Sequence, residues 1–472
     1  MKKWLSIVTV FLVVILSAYY GMGIATERVL KKSLVVLNQS PNITITLHEY
    51  QRGWFRSKAT LVWTLKIPQQ PQITYGPHSL ANEKIYDINI PLNIYHGPFQ
   101  LIHFKPWFGF GYAQSHIILP PIYEQQFRSV TEHNELPQIK LGCFVNYLAQ
   151  TTVHLDMLGY KLIAKEGDGQ FTWRGMRANL QVSANKAQLE GHVLIKGFTW
   201  LKNGLKGIHG PIESDFNMHL GVDQLYLGVA HLKMASTALI KNHQPLANFT
   251  GVDIESKSDM VDGLYNASLS AKVQQSLLQN RSYGPAEIHI DVTHLDAAVL
   301  AKMNQKFSQP TASDLDRQRV ILSIIPDISM LLSKGAQFAI NHLALSLPEG
   351  KVRASLKFNW PNEHIVNPIQ FLQKMMGEGK LRVSSAVVSH WMHDYIQQKW
   401  VPVPLTNANS SVALPTADPE VQIAQKTTDK MNELIQQGVL TKDGNDYVLV
   451  FKFLNGKLFI NEHPFSASML AI

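Results

Sequence analysis

Residues Lys351-Val352-Arg353-Ala354-Ser355-Leu356-Lys357-Phe358-Asn359-Trp360 place an apolar side chain at every even number and a polar one at every odd number. Successive side chains of a strand point to opposite faces, so a period of two makes an amphipathic strand with one dry and one wet face. Glu349-Gly350 before it has hairpin chemistry. Moving outward, the same alternation returns at Phe338/Ile340, Ile288/Ile290/Val292, Tyr265/Ala267/Leu269/Ala271/Val273 and Phe216/Met218/Leu220/Val222. It is equally strict in Lys58–Ile67 and in Ile88/Ile90/Leu92/Ile94. Gly167-Asp168-Gly169, Gly444-Asn445 and Asn455-Gly456 punctuate the runs as hairpin turns do. The pattern predicts a mainly β, β-rich α+β chain built as a long twisted antiparallel meander sheet.

Helices are expected mostly in the C-terminal half. Arg317–Ile325 and Asp327–Lys334 read as two helices parted by Pro326 and stopped by Gly335. Asn367-Pro368 opens another, burying Ile369, Leu372 and Met375 or Met376. Asp418-Pro419 is an N-cap with proline at the first helical position, and Val421, Ala424, Met431, Leu434 and Ile435 form that helix's stripe. Ser308–Ser313 and Val401–Ala417 read as linkers. The expected divisions are an anchor at 1–26, a mostly β domain at 27–307, an α+β segment at 314–400 and a helix with a hairpin at 418–472.

With 472 residues the chain is too long for one core. Its 45% hydrophobic content excludes intrinsic disorder, and its 17% charged content is below the ~25% of ordinary soluble domains. The single cysteine, Cys143, excludes an intramolecular disulfide framework and any Cys-rich zinc module. It follows Gly142 and precedes Phe144 and Val145, an apolar setting for an inert thiol. The net charge of +8 comes from 43 Lys and Arg scattered singly or in pairs, which describes a solvated surface and argues against nucleic acid.

Met1-Lys2-Lys3 precedes the uncharged stretch Trp4–Thr26. That length suffices for a transmembrane helix, with Trp4 and the pair Tyr19-Tyr20 placed as interfacial anchors. A cleaved signal peptide is the competing reading, since Gly23-Ile24-Ala25 carries small residues at both key positions. The two lysines favour a cytoplasmic N-terminus, so the body is expected in the periplasm of a single-pass inner-membrane protein.

The lysine-led anchor followed by Tyr50-Gln51-Arg52-Gly53-Trp54-Phe55-Arg56-Ser57 resembles the signature of the YdgA-like bacterial family of unknown function. Leu331–Gly335, Ile340–Leu347 and Pro348-Glu349-Gly350-Lys351 resemble that family's helix-strand-turn-strand block. Gly438–Asn461, with Asn455-Gly456-Lys457-Leu458, resembles its terminal hairpin. The resemblance implies an inner-membrane-anchored, periplasmic, β-rich protein related to the elongated AsmA-type envelope proteins. It supplies no catalytic or ligand-binding residues.

The search for chemistry agrees. There is no Gly-x-Ser-x-Gly elbow, phosphate loop, dinucleotide fingerprint or His-Glu-x-x-His. His390 and His393, with Asp394, share a helical face and are the candidate metal ligands, against the reading of a solvated face. His289 and Asp291 share a strand face and could form an acid–base pair. Gly53, Trp54 and Phe55 stand out: they read either as a bend with rings packed on the sheet, or as an aromatic lip contacting lipid or a partner. Trp107, Phe108 and Phe110 form a second aromatic cluster with the character of a contact site.

The sequence thus leads to a non-enzymatic, membrane-anchored envelope protein, without cofactor, that binds a lipid or a protein partner along an apolar sheet face. The alternatives are a structural homodimer in which a second copy covers that face, and a periplasmic hydrolase using histidines or carboxylates.

Overall fold

The structure, a computed structural model, describes residues 2–37, 43–68, 83–102, 105–117, 128–132, 137–185, 187–221, 225–307, 314–363, 370, 373–399 and 419–465. The chain divides into two compact units, Met1–Gly221 with Gly228–Gln244, and Val222–Leu227 with Pro245–Ile472. The expected linkers at 308–313 and 401–417 lie outside the described residues.

The first unit opens with one continuous helix, Lys2–Leu37. Strands Ile43–Gln51, Arg56–Pro68, Glu83–His96, Gly109–Ile117, Ile139–Asn146 and Thr151–Met157 then pair in that order, each antiparallel to the one before. The alternating residues do what their period requires: Ala59, Leu61, Ile90, Leu92 and Ile94 form a buried core with Ile45, and Leu30 of the helix packs on it. A two-stranded flap, Gln100–Ile102 with Lys105–Trp107, sits between the third and fourth of these strands.

Beyond Met157 the ladder continues, but each arm is interrupted in the same row. Thr151–Met157 is followed by Tyr160–Ile163, Gln170–Trp173 by Met176–Val182, Gln188–Ile195 by Phe198–Lys202, and Leu205–His209 by Ile212–Leu220. Neighbouring arms pair on both sides of the interruption. Arg174 N–H donates to Gly197 O at 3.0 Å and Lys196 N–H to Gly175 O at 2.9 Å, stitching across the break. Gly175 and Gly197 take φ of +111° and +101°, and a Cβ on Gly197 would stand 2.4 Å from His209 O. Only glycine meets both demands, and a row of such breaks turns a sheet through a corner.

In the second unit, strands Gln244–Val261, Leu264–Leu278, Ala286–Asp296, Gln337–Leu347, Gly350–Asn359, Met376–Ser384, Asp446–Leu454 and Lys457–Ile460 again pair in sequence order, all antiparallel. Helices Ala297–Phe307, Asp314–Leu332, Ser385–Lys399 and Pro419–Gln436 belong to this unit. The chain is therefore a mainly β protein with an antiparallel meander, helices gathered toward its C-terminal half and an apolar N-terminal helix.

Three local expectations need correction. Asp314–Leu332 runs through Pro326 as one helix. The proline ring deprives the Leu322 carbonyl of its donor, but Leu322 is 64% exposed, so water can take that bond. Met376 opens a strand instead of closing a helix; residues 364–369, which include Asn367-Pro368 and Ile369, and residues 371–372, which include Leu372, lie outside the described residues. The last helix buries Ile423, Thr427, Met431 and Leu434, while Val421 and Ile435 are exposed. Spacings of four, four and three keep the buried set on one stripe, which is rotated from the expected one.

Candidate functional site

The register of the second unit aligns its alternating residues into apolar rows that cross seven strands, from Leu264–Leu278 to Lys457–Ile460. One row runs Leu269–Ile290–Ile340–Leu356, then passes Gly379 to Phe451 and Ile460. The next runs Ala267–Val292–Phe338–Phe358, then Gly377 to Phe453 and Leu458. Phe358 and Phe451 lie over Gly377 and Gly379, where a Cβ would come within 2.4 and 2.2 Å of the rings. The opposite face carries Lys272, Glu287, Arg353, Lys357, Arg382 and Glu378.

Among the described residues, helices pack at the margins of the dry face. Val387 of Ser385–Lys399 buries Val352 and Val383, and Met431 and Leu434 of Pro419–Gln436 bury Tyr447. Ala297 and Leu300 close the Met260–Tyr265 end. Between them Ile290, Ile340, Leu356 and Phe358 are only partly buried and Leu269 is 38% exposed. Taking such a side chain from full exposure to full burial is worth ~1.5–3 kcal/mol, and the area still open along this band leaves a fraction of that unused among the described residues.

Gly53-Trp54-Phe55 forms the turn between the first two strands, where a Cβ on Gly53 would meet Arg56 O at 2.4 Å. The two rings meet the N-terminal helix instead of the sheet. Phe55 lies edge-on to Tyr19 at 4.9 Å, and Trp54 sits 5.2 Å from Tyr20. Arg52 stands 5.8 Å from the Tyr20 ring centroid and pairs with Glu27. Behind them His96 and Ser57 are completely buried. His96 Nδ1 is 3.2 Å from Tyr19 O, an acceptor, so Nδ1 carries the proton and Nε2 accepts from the Ser57 hydroxyl at 2.9 Å. Burial drives the His96 pKa below the ordinary imidazole value. Gly23 gives the ring its room: a Cβ there would lie 2.8 Å from His96 Cε1.

The second aromatic cluster divides. Trp107 turns inward, edge-on to Phe144 at 4.6 Å, while Phe108 packs on Phe99 at 5.4 Å and Phe110 on Tyr147 at 5.6 Å, both outward.

The polar candidates are cross-strand or helix-surface arrangements. His390 Nε2 lies 3.6 Å from Asp394 and 3.7 Å from Glu349, but Arg281 already pairs with Glu349. His393 lines the cleft between the last two helices with His390 and Thr428. Among the described residues, His192, Glu213 and Asp215 gather their ligand atoms within 4.8 Å of one another, beside a shallow cleft of about 290 Å³. Asp215 sits at Nδ1 (2.7 Å) and Glu213 on the Nε2 side (4.0 Å), so a single ion would meet the ring with one carboxylate only. His289 contacts Asp291 at 3.3 Å, and its Nδ1 is 2.7 Å from Ser270 Oγ. Ser270 belongs to a strand paired on both sides, whose amides are committed to the ladder and leave no donor pair for an oxyanion. Sequence reasoning missed the partners Ser270 and Asp215 because pairing register, not spacing, delivers them, and Glu349 because only helix packing brings His390 to its turn. Burial pushes the Cys143 thiol up to about 11, which leaves it protonated and inert.

Fold and surfaces together define a mainly β, antiparallel-sheet protein that carries one N-terminal helix, Phe11–Lys31 in its described apolar part, long and apolar enough to cross a membrane. The chain belongs to the family described as bacterial protein of unknown function (DUF945), whose match covers residues 1–468. No curated protein and no solved structure matches it.

Proposed function

We propose that this chain is a non-enzymatic, membrane-anchored envelope protein whose body lies in the periplasm and holds a lipid along the dry face of its second unit. The observation that carries this reading is the partly open band through Leu269, Ile290, Ile340, Leu356 and Phe358, flanked among the described residues by helices at its margins. A face of that composition offers nothing to a polar substrate and matches an acyl chain. The anchor reading is supported by Phe11, Leu12, Val13 and Val14, all more than half exposed on the helix. It is also supported by Gly23, which packs against His96; cleavage after Ala25 would remove both Tyr19 and Gly23 from that buried pair. Kinship with the YdgA-like and AsmA-type envelope proteins is part of the proposal, supported by the anchor, the Gly53-Trp54-Phe55 turn and the meander.

The test is a full-length protein in nanodiscs doped with a diazirine-bearing phospholipid, photolysed and mapped by peptide mass spectrometry. Adducts on Leu269, Leu356 or Phe358 are expected. Their absence, with adducts on the N-terminal helix, would remove the lipid reading. Crosslinks between two copies at these positions would replace it with the homodimer.

A further inference from the structure

We infer that the aromatic end of the first unit rests in the headgroup layer of the membrane, as a collar around the helix where it leaves the bilayer. The inference rests on the anchor reading above. The turn after Gln51, the connection after His96 and the turn after Asn146 lie at one end of the ladder, as the register Arg56–Tyr95–Tyr112–Phe144 requires. All three carry solvent-facing apolar side chains: Trp54 and Phe55, Phe99 and Phe108, Tyr147 and Leu148, between 44% and 80% exposed. None of the six is charged. They join the helix at one level, through Tyr19 with Phe55, Tyr20 with Trp54, and the Tyr19 hydroxyl donating to Phe99 O at 2.5 Å. The Tyr147 hydroxyl, donating to Pro98 O, ties the third turn to the second.

Reach settles the occupant. From Lys3 to Tyr20 the helix rises about 25 Å at 1.5 Å per residue, against a hydrocarbon core of ~30 Å. The helix therefore has no spare turn to act as a stalk, and a collar fixed at Tyr19–Tyr20 is drawn into the interface. At that depth Trp54 and Tyr147 keep their rings in the acyl boundary and their N–H and O–H among the headgroups, while the three Phe rings and Leu148 bury in the boundary. In water the same patch would be a contiguous apolar surface with nothing to cover it among the described residues.

Cys143 is the chain's only cysteine, so a Cys143→Ser background accepts single nitroxide labels. Val13→Cys, Phe108→Cys, Leu148→Cys and Lys140→Cys are labelled in the full chain reconstituted in phosphatidylcholine/phosphatidylglycerol vesicles. Collision with oxygen and with a water-soluble nickel chelate then reports depth. Lys140 is exposed at the opposite end of the same ladder. The label at 13 is expected deep in lipid, those at 108 and 148 at headgroup depth with nickel collision several-fold below that at 140, and the label at 140 in water. With 13 deep, nickel access at 108 and 148 equal to that at 140 overturns the collar alone. Shielding of both from oxygen and nickel also overturns it, because protein would then cover the patch. A water-exposed label at 13 overturns the anchor and the collar together.

Discussion

His96 fastens the helix to the body, and its protonation state decides how firmly. In the docked state it is neutral, donating to Tyr19 O and accepting from Ser57, and among the described residues no carboxylate contacts it to stabilise a charge. Burial lowers its pKa beneath the ordinary 6.5. A released helix frees a ring that protonates more readily, so the undocked state binds more protons. The attachment is therefore complete above the ordinary imidazole value and is lost as pH falls from there toward the lowered one. Glu27, held low by Lys31 and Arg52, keeps its charge throughout that window. Hydrogen exchange of the Tyr20–Ala25 amides, corrected for intrinsic rates, is expected to be faster at pH 5.5 than at 7.5. In His96→Gln the difference should vanish; an unchanged difference would assign the pH response to another group.

At the scale of elements, the strands were legible because a half-covered sheet writes its period into the chain. Lys58–Ile67 and Lys351–Trp360 announced which residues would turn inward, and Ala59, Leu61 and Val352 are buried as their positions require. Partners were not legible. Trp54 and Phe55 are conspicuous in sequence, but Tyr19 and Tyr20 meet them only through folding, and His192 finds Asp215 only through register. Pro326 misled because a proline can sit inside a helix without ending it when the carbonyl it frees is open to water. The glycines beneath the aromatic rings were likewise silent until pairing placed them. Gly379→Val puts a branched side chain where the Phe451 ring lies 2.2 Å from the Cβ position. Urea unfolding should show a loss of about 1–3 kcal/mol, the usual cost of overpacking. A neutral result would mean that the ring swings aside at no cost.

On the scale of the whole molecule, the N-terminal segment decides whether the body is tethered or released. Because Tyr19 and Gly23 complete the packing around His96, the protein recovered from bacterial membranes should retain its helix. Peptide mass mapping is expected to find residues 1–25 still joined to the body. A species lacking residues 1–25 would show that a signal peptidase acts there and that the His96 pair faces solvent in the mature protein.

The order of the strands has a consequence for biosynthesis. In both units the main ladder follows chain order, and where arms pair around the corner their partners are still close in sequence. Long-range sheet pairing is what slows β proteins, since distant segments must find each other across a large loop. Here each hairpin, as it emerges, meets an edge laid down moments earlier. Each unit can be zipped from its first strand to its last at the pace of translation, with one unpaired edge at the growing end for a chaperone to guard.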